Sequence, residues 1–167
     1  MAHRCGISVQ VSLRYGKGSV KVRIPEDRLQ GVLTPRSFVK HGQSVPAALS
    51  RPIASEPLPK LLDRKDKVAV VVSDITRPCP TWRILPHVLR LLKTAGIDHD
   101  NVGILIATGM HRGHNAAERR RLLGRCAASI SRAVDHRVDS VQHVGTTRRG
   151  TEVSVNPLLL DADFALA

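Results

Sequence analysis

VAVVVSDITRPCP, residues 68–80, runs five apolar residues straight into Ser73-Asp74 and then sets Arg77 between Thr76 and Pro78. A run apolar on both faces is what a central parallel strand needs, since helices cover both sides of such a sheet. The residues after it support that reading. Ile84, Leu85, Val88, Leu89 and Leu92 recur at helical spacing, and Lys93 with Gly96 supplies a stop. Pro86 suits an early helical turn, so regular helix is expected to start near Leu85 or to kink there. A second run of the same buried character follows at Val102–Ala107. Strand, helix and strand make a βαβ unit, whose crossover is expected to be right-handed.

Outward from this unit the pattern changes. Upstream, Ile7, Val9, Val11 and Leu13, then Val20, Val22 and Ile24, alternate around Gly16-Lys17-Gly18, which reads as a β-hairpin. Residues 25–60 carry six prolines and read as a wandering connection with at most a short helix near Pro46–Ser50. Downstream, Asn115-Ala-Ala-Glu118 has the form of a capping box, with Leu122 and Leu123 following. Val141–Val144 and Thr151–Val155 read as short strands around Arg148-Arg149-Gly150, and PLLLDADFALA opens a further apolar segment. The expected fold is α/β: a sheet with parallel strands, flanking helices and an N-terminal β-hairpin, all in one domain over residues 1–167.

Composition bounds the function. The 167 residues are 42% hydrophobic and 24% charged, as in a globular domain, and only 2% aromatic, so the core is aliphatic. A net charge of +12 has two readings, anionic partners or an arginine-rich solvated surface, and the 26 basic residues form no block. Cys5, Cys79 and Cys126 lack the spacing of a zinc site or a disulfide framework. The N-terminus has no signal-peptide core, and no apolar run reaches the ~18 residues of a membrane span. A cytoplasmic protein without a membrane partner is the expectation.

Ligands of open α/β sheets bind beyond the carboxyl ends of the strands, and there the two apolar runs end in chemistry. The first gives Ser73-Asp74-Ile75-Thr76-Arg77-Pro78, the second Ala107-Thr108-Gly109-Met110-His111-Arg112. Arg77 offers a planar fork suited to a carboxylate or phosphate, or is a surface arginine paired locally. His111 is a candidate proton acceptor near neutral pH, or simply exposed. Asp74 either orients that imidazole or caps the following turn. Gly109 permits close backbone approach, and the Thr76 and Thr108 hydroxyls suit phosphate or ribose oxygens. The set suits proton chemistry on a small acid.

These two loops carry a resemblance. SDITRPCP and ILIATGMHRGHNAAE resemble the N-terminal domain of the nickel-dependent lactate racemase family, and so do YGKGSVKVRIPEDRLQGVL, RPIASEPLPKLL and VGTTRRGTEVSVNPLLLDADFALA, nearly the whole chain. The resemblance implies a nickel pincer nucleotide in a cleft between two domains. It also implies an isomerase reaction in which hydride leaves C2 of a 2-hydroxy acid while a histidine takes the hydroxyl proton. Through it, His111 matches an acid–base histidine, Asp74 the acid beside it and Arg77 the holder of the substrate carboxylate. Thr76, Thr108 and Gly109 match part of the nucleotide cradle.

In that family the cofactor-bearing lysine, a nickel-ligating histidine, the second catalytic histidine and a further substrate-binding lysine lie later in the chain. Here no lysine follows Lys93, so no residue is assigned to the metal or to covalent attachment. His99, His136 and His143 are not spaced as ligands, and Gly113 with the Asn115 cap puts His111 and His114 in a loop. Three readings follow: a domain made on its own, a truncated gene product, or a half that pairs with a separate C-terminal polypeptide. The segment DADFALA, ending without a neighbour, favours truncation. On each, the chain alone is expected to be inactive. Two other classes compete: a basic nucleic-acid-binding module, disfavoured by too few aromatics for base stacking, and a non-catalytic remnant of the racemase.

Overall fold

The structure is a computed structural model that describes residues 7–34, 44–125, 130 and 132–167. Cys5, Cys126 and Pro35 lie outside them. The chain divides into two compact units, Met1–Gly42 and Gln43–Ala167.

In the first unit, β1 (Ser8–Tyr15) pairs antiparallel with β2 (Gly18–Pro25) from Ser8↔Pro25 to Tyr15↔Gly18. The connection is therefore the two residues Gly16-Lys17. Gly16 has φ +57°, the left-handed geometry that the tight hairpin turn requires at its first central position. A short 3-10 turn, Glu26–Arg28, follows.

The second unit is built on a four-stranded parallel sheet. Its strands are β3 (Val68–Ser73), β4 (Val102–Ala107), β5 (Arg132–Asp135) and β8 (Phe164–Leu166), in the order β5-β4-β3-β8. Val68, Val70 and Val72 alternate along β3 in register with Val102, Ile104 and Ile106 of β4. This face is the main core, closed by Leu85 and Leu92 of α3 (Thr81–Thr94), Leu122 and Leu123 of α4 (Ala116–Leu123), and Ile97. On the opposite face, Ala69, Gly103 and Leu105 are also buried. Leu158 of α5 (Pro157–Leu160) packs there so closely that a Cβ on Gly103 would come within 3.0 Å of it. Both faces of β3 and β4 are thus covered, the physical reason for their unbroken apolar sequence.

The remaining elements are α1 (Val45–Ser50), α2 (Leu58–Leu61) and the antiparallel pair β6 (Gln142–Thr146) and β7 (Glu152–Val155). Three features depart from the sequence expectation. Regular helix in α3 begins at Thr81, ahead of Leu85, because the Arg83 and Ile84 amides bond the Pro80 carbonyl and start the turn before Pro86 is reached. Neither β5 nor α2 has an apolar pattern long enough to read. DADFALA does find a neighbour: β8 lies parallel to β3, and the Asp163 carboxylate accepts the Lys67 amide at 2.9 Å.

Candidate active site

The sheet register brings the chemistry together. Ser73 and Ala107 are opposite one another at the ends of β3 and β4, and Asp135 ends β5 opposite Ile106. Three loops therefore leave the same carboxyl edge. In the middle loop the His111 amide bonds the Thr108 carbonyl at 3.0 Å, closing a turn with Gly109 at φ +57°. That left-handed geometry requires glycine at this place, while the space beside it is open.

Asp74 is buried, 3% exposed, and both its oxygens are engaged. Oδ1 accepts the Thr76 hydroxyl at 2.7 Å, and Oδ2 lies 2.5 Å from His111 Nδ1. The bond from His111, then that from Thr76, holds the Asp74 carboxyl below the usual aspartate value, while burial opposes them. An ionised carboxylate only accepts, so the Nδ1 facing it carries a proton and Nε2 is the nitrogen that faces away from Asp74. The His111 side chain is 49% exposed, and Nε2 has no hydrogen-bond partner among the described residues. A half-open imidazole backed by a buried carboxylate can take a proton from a ligand and return it.

The other expected residues divide. Arg77 shares the Asp74 turn, its amide donating to the Asp74 carbonyl at 3.1 Å. Its side chain is exposed, with no ion pair among the described residues, so the local pairing open to it in the sequence is not formed. Thr76 is exposed, and its hydroxyl proton goes to Asp74. Thr108 departs from the expected ligand-facing hydroxyl. It is 2% exposed and donates to the His136 carbonyl at 2.6 Å, tying the loops after β4 and β5 together.

Sequence reasoning missed a second layer. His114 is buried behind the first pair, with Nδ1 at 2.8 Å from Asp135 Oδ1 and Nε2 at 3.1 Å from the Ile75 amide. Asp135 Oδ2 accepts the His114 amide at 3.0 Å and the Arg119 guanidinium at 2.6 Å. Burial pushes the Asp135 carboxyl up, but Arg119 and His114 together hold it below its usual value. The spacing of His111 and His114 drew attention in the sequence, but their partners lie on other strands. Nearby, Arg112 turns away from His111 to clasp Glu118 at 2.7 and 2.8 Å. That guanidinium and the Asn115 amide push the Glu118 carboxyl down to about 2.

His111, Gly109, Met110, Arg119, His136 and Arg137 line a cleft of about 540 Å³ that opens at this edge. Among the described residues no three histidine, cysteine or acidic side chains gather as a metal site, and no helix is long and apolar enough to cross a membrane.

Residues 15–167 match the family described as the lactate racemase N-terminal domain. A lactate racemase of Thermoanaerobacterium thermosaccharolyticum is 29% identical over 165 residues, spanning 94% of this chain and 38% of that protein. One of Lactiplantibacillus plantarum is 27% identical over 167 residues, spanning 95% and 39%. The structure of the lactate racemase apoprotein from Thermoanaerobacterium thermosaccharolyticum superposes with a TM-score of 0.75 at 28% identity, over 94% of this chain and 38% of that one. The chain therefore spans less than two-fifths of these relatives and, on its sequence and its fold alike, belongs to the lactate racemase N-terminal domain family.

Proposed function

We propose that this domain supplies the proton-handling and carboxylate-binding part of a 2-hydroxyacid racemase site. The observation that carries the reading is the Asp74–His111 pair, buried at the carboxylate and half open at the imidazole. In this reading the substrate carboxylate meets the Arg77 fork and the C2 hydroxyl faces His111 Nε2. His111 Nε2 would accept the hydroxyl proton and later return it, while the hydride leaving C2 would need an acceptor that the residues of this chain do not supply. Asp74 holds the ring in the tautomer that leaves Nε2 free and stabilises the imidazolium that forms, an electrostatic role that burial strengthens. Gly109 and Met110, beside His111, leave room for a small acid.

The family resemblance points to a nickel pincer nucleotide as hydride acceptor, and no residue of this chain is assigned to ligate its metal. No trio of ligand side chains gathers among the described residues, both His114 ring nitrogens are bonded, and the Thr108 hydroxyl is buried on a backbone carbonyl. No step is derived through that group. The residues assigned here bind and move a proton, which is not turnover, and in this reading the chain alone is inactive.

The test is an amide NMR titration of the 167-residue chain with D- and L-lactate, with lactamide as the uncharged control. Lactate is expected to shift residues 74–77 and 108–111, and lactamide to leave them in place. Arg77→Ala should weaken lactate binding roughly tenfold to a hundredfold, the worth of a charge-assisted pair. Shifts equal for lactate and lactamide, or unchanged by Arg77→Ala, would overturn the assignment of the carboxylate to Arg77.

A further inference from the structure

We infer that His114 is a positioning residue for the Asp74–His111 pair, acting through one hydrogen bond carried from the end of β5 to the end of β3. Ile75 directly follows Asp74, and its buried-edge amide must find an acceptor. That acceptor is His114 Nε2, at 3.1 Å. A ring nitrogen that accepts an N–H bond carries no proton, so the neutral ring has its proton on Nδ1, which donates to Asp135 Oδ1 at 2.8 Å. Asp135 is fixed in turn by Arg119 and by the His114 amide. The chain Arg119–Asp135–His114–Ile75 thus runs through the loop after β4, to which His114 belongs. The His114 and Asp135 side chains are only 3% and 7% exposed, which leaves little access for water to stand in for either.

The consequence falls on Asp74. The Ile75 amide belongs to the peptide whose carbonyl side is Asp74 itself, so the bond to His114 sets the orientation from which the Asp74 side chain departs. Without it the peptide keeps only the Arg77 amide on its carbonyl side, and a carboxylate held 2.5 Å from His111 Nδ1 has little tolerance for displacement. Two imidazoles three residues apart therefore do different work. His111, half exposed, meets the ligand, while His114, buried and bonded at both nitrogens, touches neither ligand nor cleft and acts through the backbone.

The inference rests on Asp74 and His111 being the proton-handling pair, but its test does not depend on substrate. In the 15N-labelled chain, the His114 ring is expected to show a protonated Nδ1 and a bare Nε2. His114→Asn keeps a donor for Asp135 and offers no acceptor at the Nε2 position. In it the Ile75 amide should exchange roughly tenfold faster, and the downfield proton signal of the His111–Asp74 bond should be lost, with the fold retained. His114→Gln, whose amide oxygen can occupy the Nε2 place, should recover both. A wild-type His114 protonated at Nε2, or unchanged Ile75 exchange and His111 signal in His114→Asn, would overturn the inference. If neither variant folds, the wild-type tautomer still decides. Absent lactate binding with these signals intact would count against the proposed function and leave this inference standing.

Discussion

A carboxylate gives up water only where donors replace it, and Asp74 has two, the Thr76 hydroxyl and the His111 ring. In the proposed reading its value lies in directing the imidazole, since an ionised acceptor at Nδ1 leaves Nε2 without a proton. Asp74→Asn removes the charge and keeps the shape. In a full-length racemase bearing this domain, the expected outcome is a fall in turnover of about 10²–10⁴-fold with the fold intact. Activity within a few-fold of the parent would remove Asp74 from the mechanism. The sequence carried the residue types at this scale but not their employment. Thr108 looks like a ligand-facing hydroxyl because it follows a strand, but its neighbour is the β5 chain, 28 residues on, and its proton goes there. Asp135 carries no signal of its own in the sequence, because only β5 beside β4 brings it to His114 and Arg119.

At the scale of elements, local signals and packing can be separated. The Asn115 side chain accepts the Glu118 amide at 2.9 Å and the Glu118 carboxylate accepts the Asn115 amide at 3.0 Å, the reciprocal cap that the sequence spelled out. Asn115→Ala is expected to cost about 1 kcal/mol in denaturant unfolding. No change in midpoint would mean that α4 is held by its buried Leu122 and Leu123 alone. Gly103 poses the opposite case, because nothing local demands glycine inside β4. A Cβ there would lie 3.0 Å from Leu158 Cδ1, so in Gly103→Ala the Leu158 side chain must give way, at a cost of about 1–3 kcal/mol. The same denaturation experiment checks it, and an unshifted midpoint would show that Leu158 moves aside freely. Helix α4 was legible for the first reason, and the place of α5 was not for the second.

Over the whole molecule, acid is the perturbation to which these networks answer together. The carboxyls of Asp74, Asp135, Asp139 and Asp161 lie below the ordinary 3.8, and Glu118 is pushed from 4.5 to about 2. The folded chain therefore binds protons less readily than the unfolded one. Stability from these groups is complete above the ordinary values and is lost as pH falls toward the lowered ones. The melting temperature is expected to drop steadily from about pH 5 to about pH 2, and less steeply in Glu118→Gln, which keeps the cap's reach and loses the charge. A flat profile over that range would contradict the ion pairs. Protonation also raises the net charge above its neutral-pH value of +12, and the added self-repulsion acts in the same direction.

The sequence by itself determined the hairpin, the two central strands, the helix between them and the cap of α4. Each is written in contiguous residues as a period, a turn glycine or a reciprocal pair. It also specified that Asp74, Arg77 and His111 follow strand ends. Only the tertiary structure decided that β5 and β8 flank those strands, that the Thr108 hydroxyl faces inward, and that His114 reaches from Asp135 to Ile75. Those outcomes depend on which strands become neighbours, and strand order is set by packing between residues far apart in the chain, which no local pattern encodes.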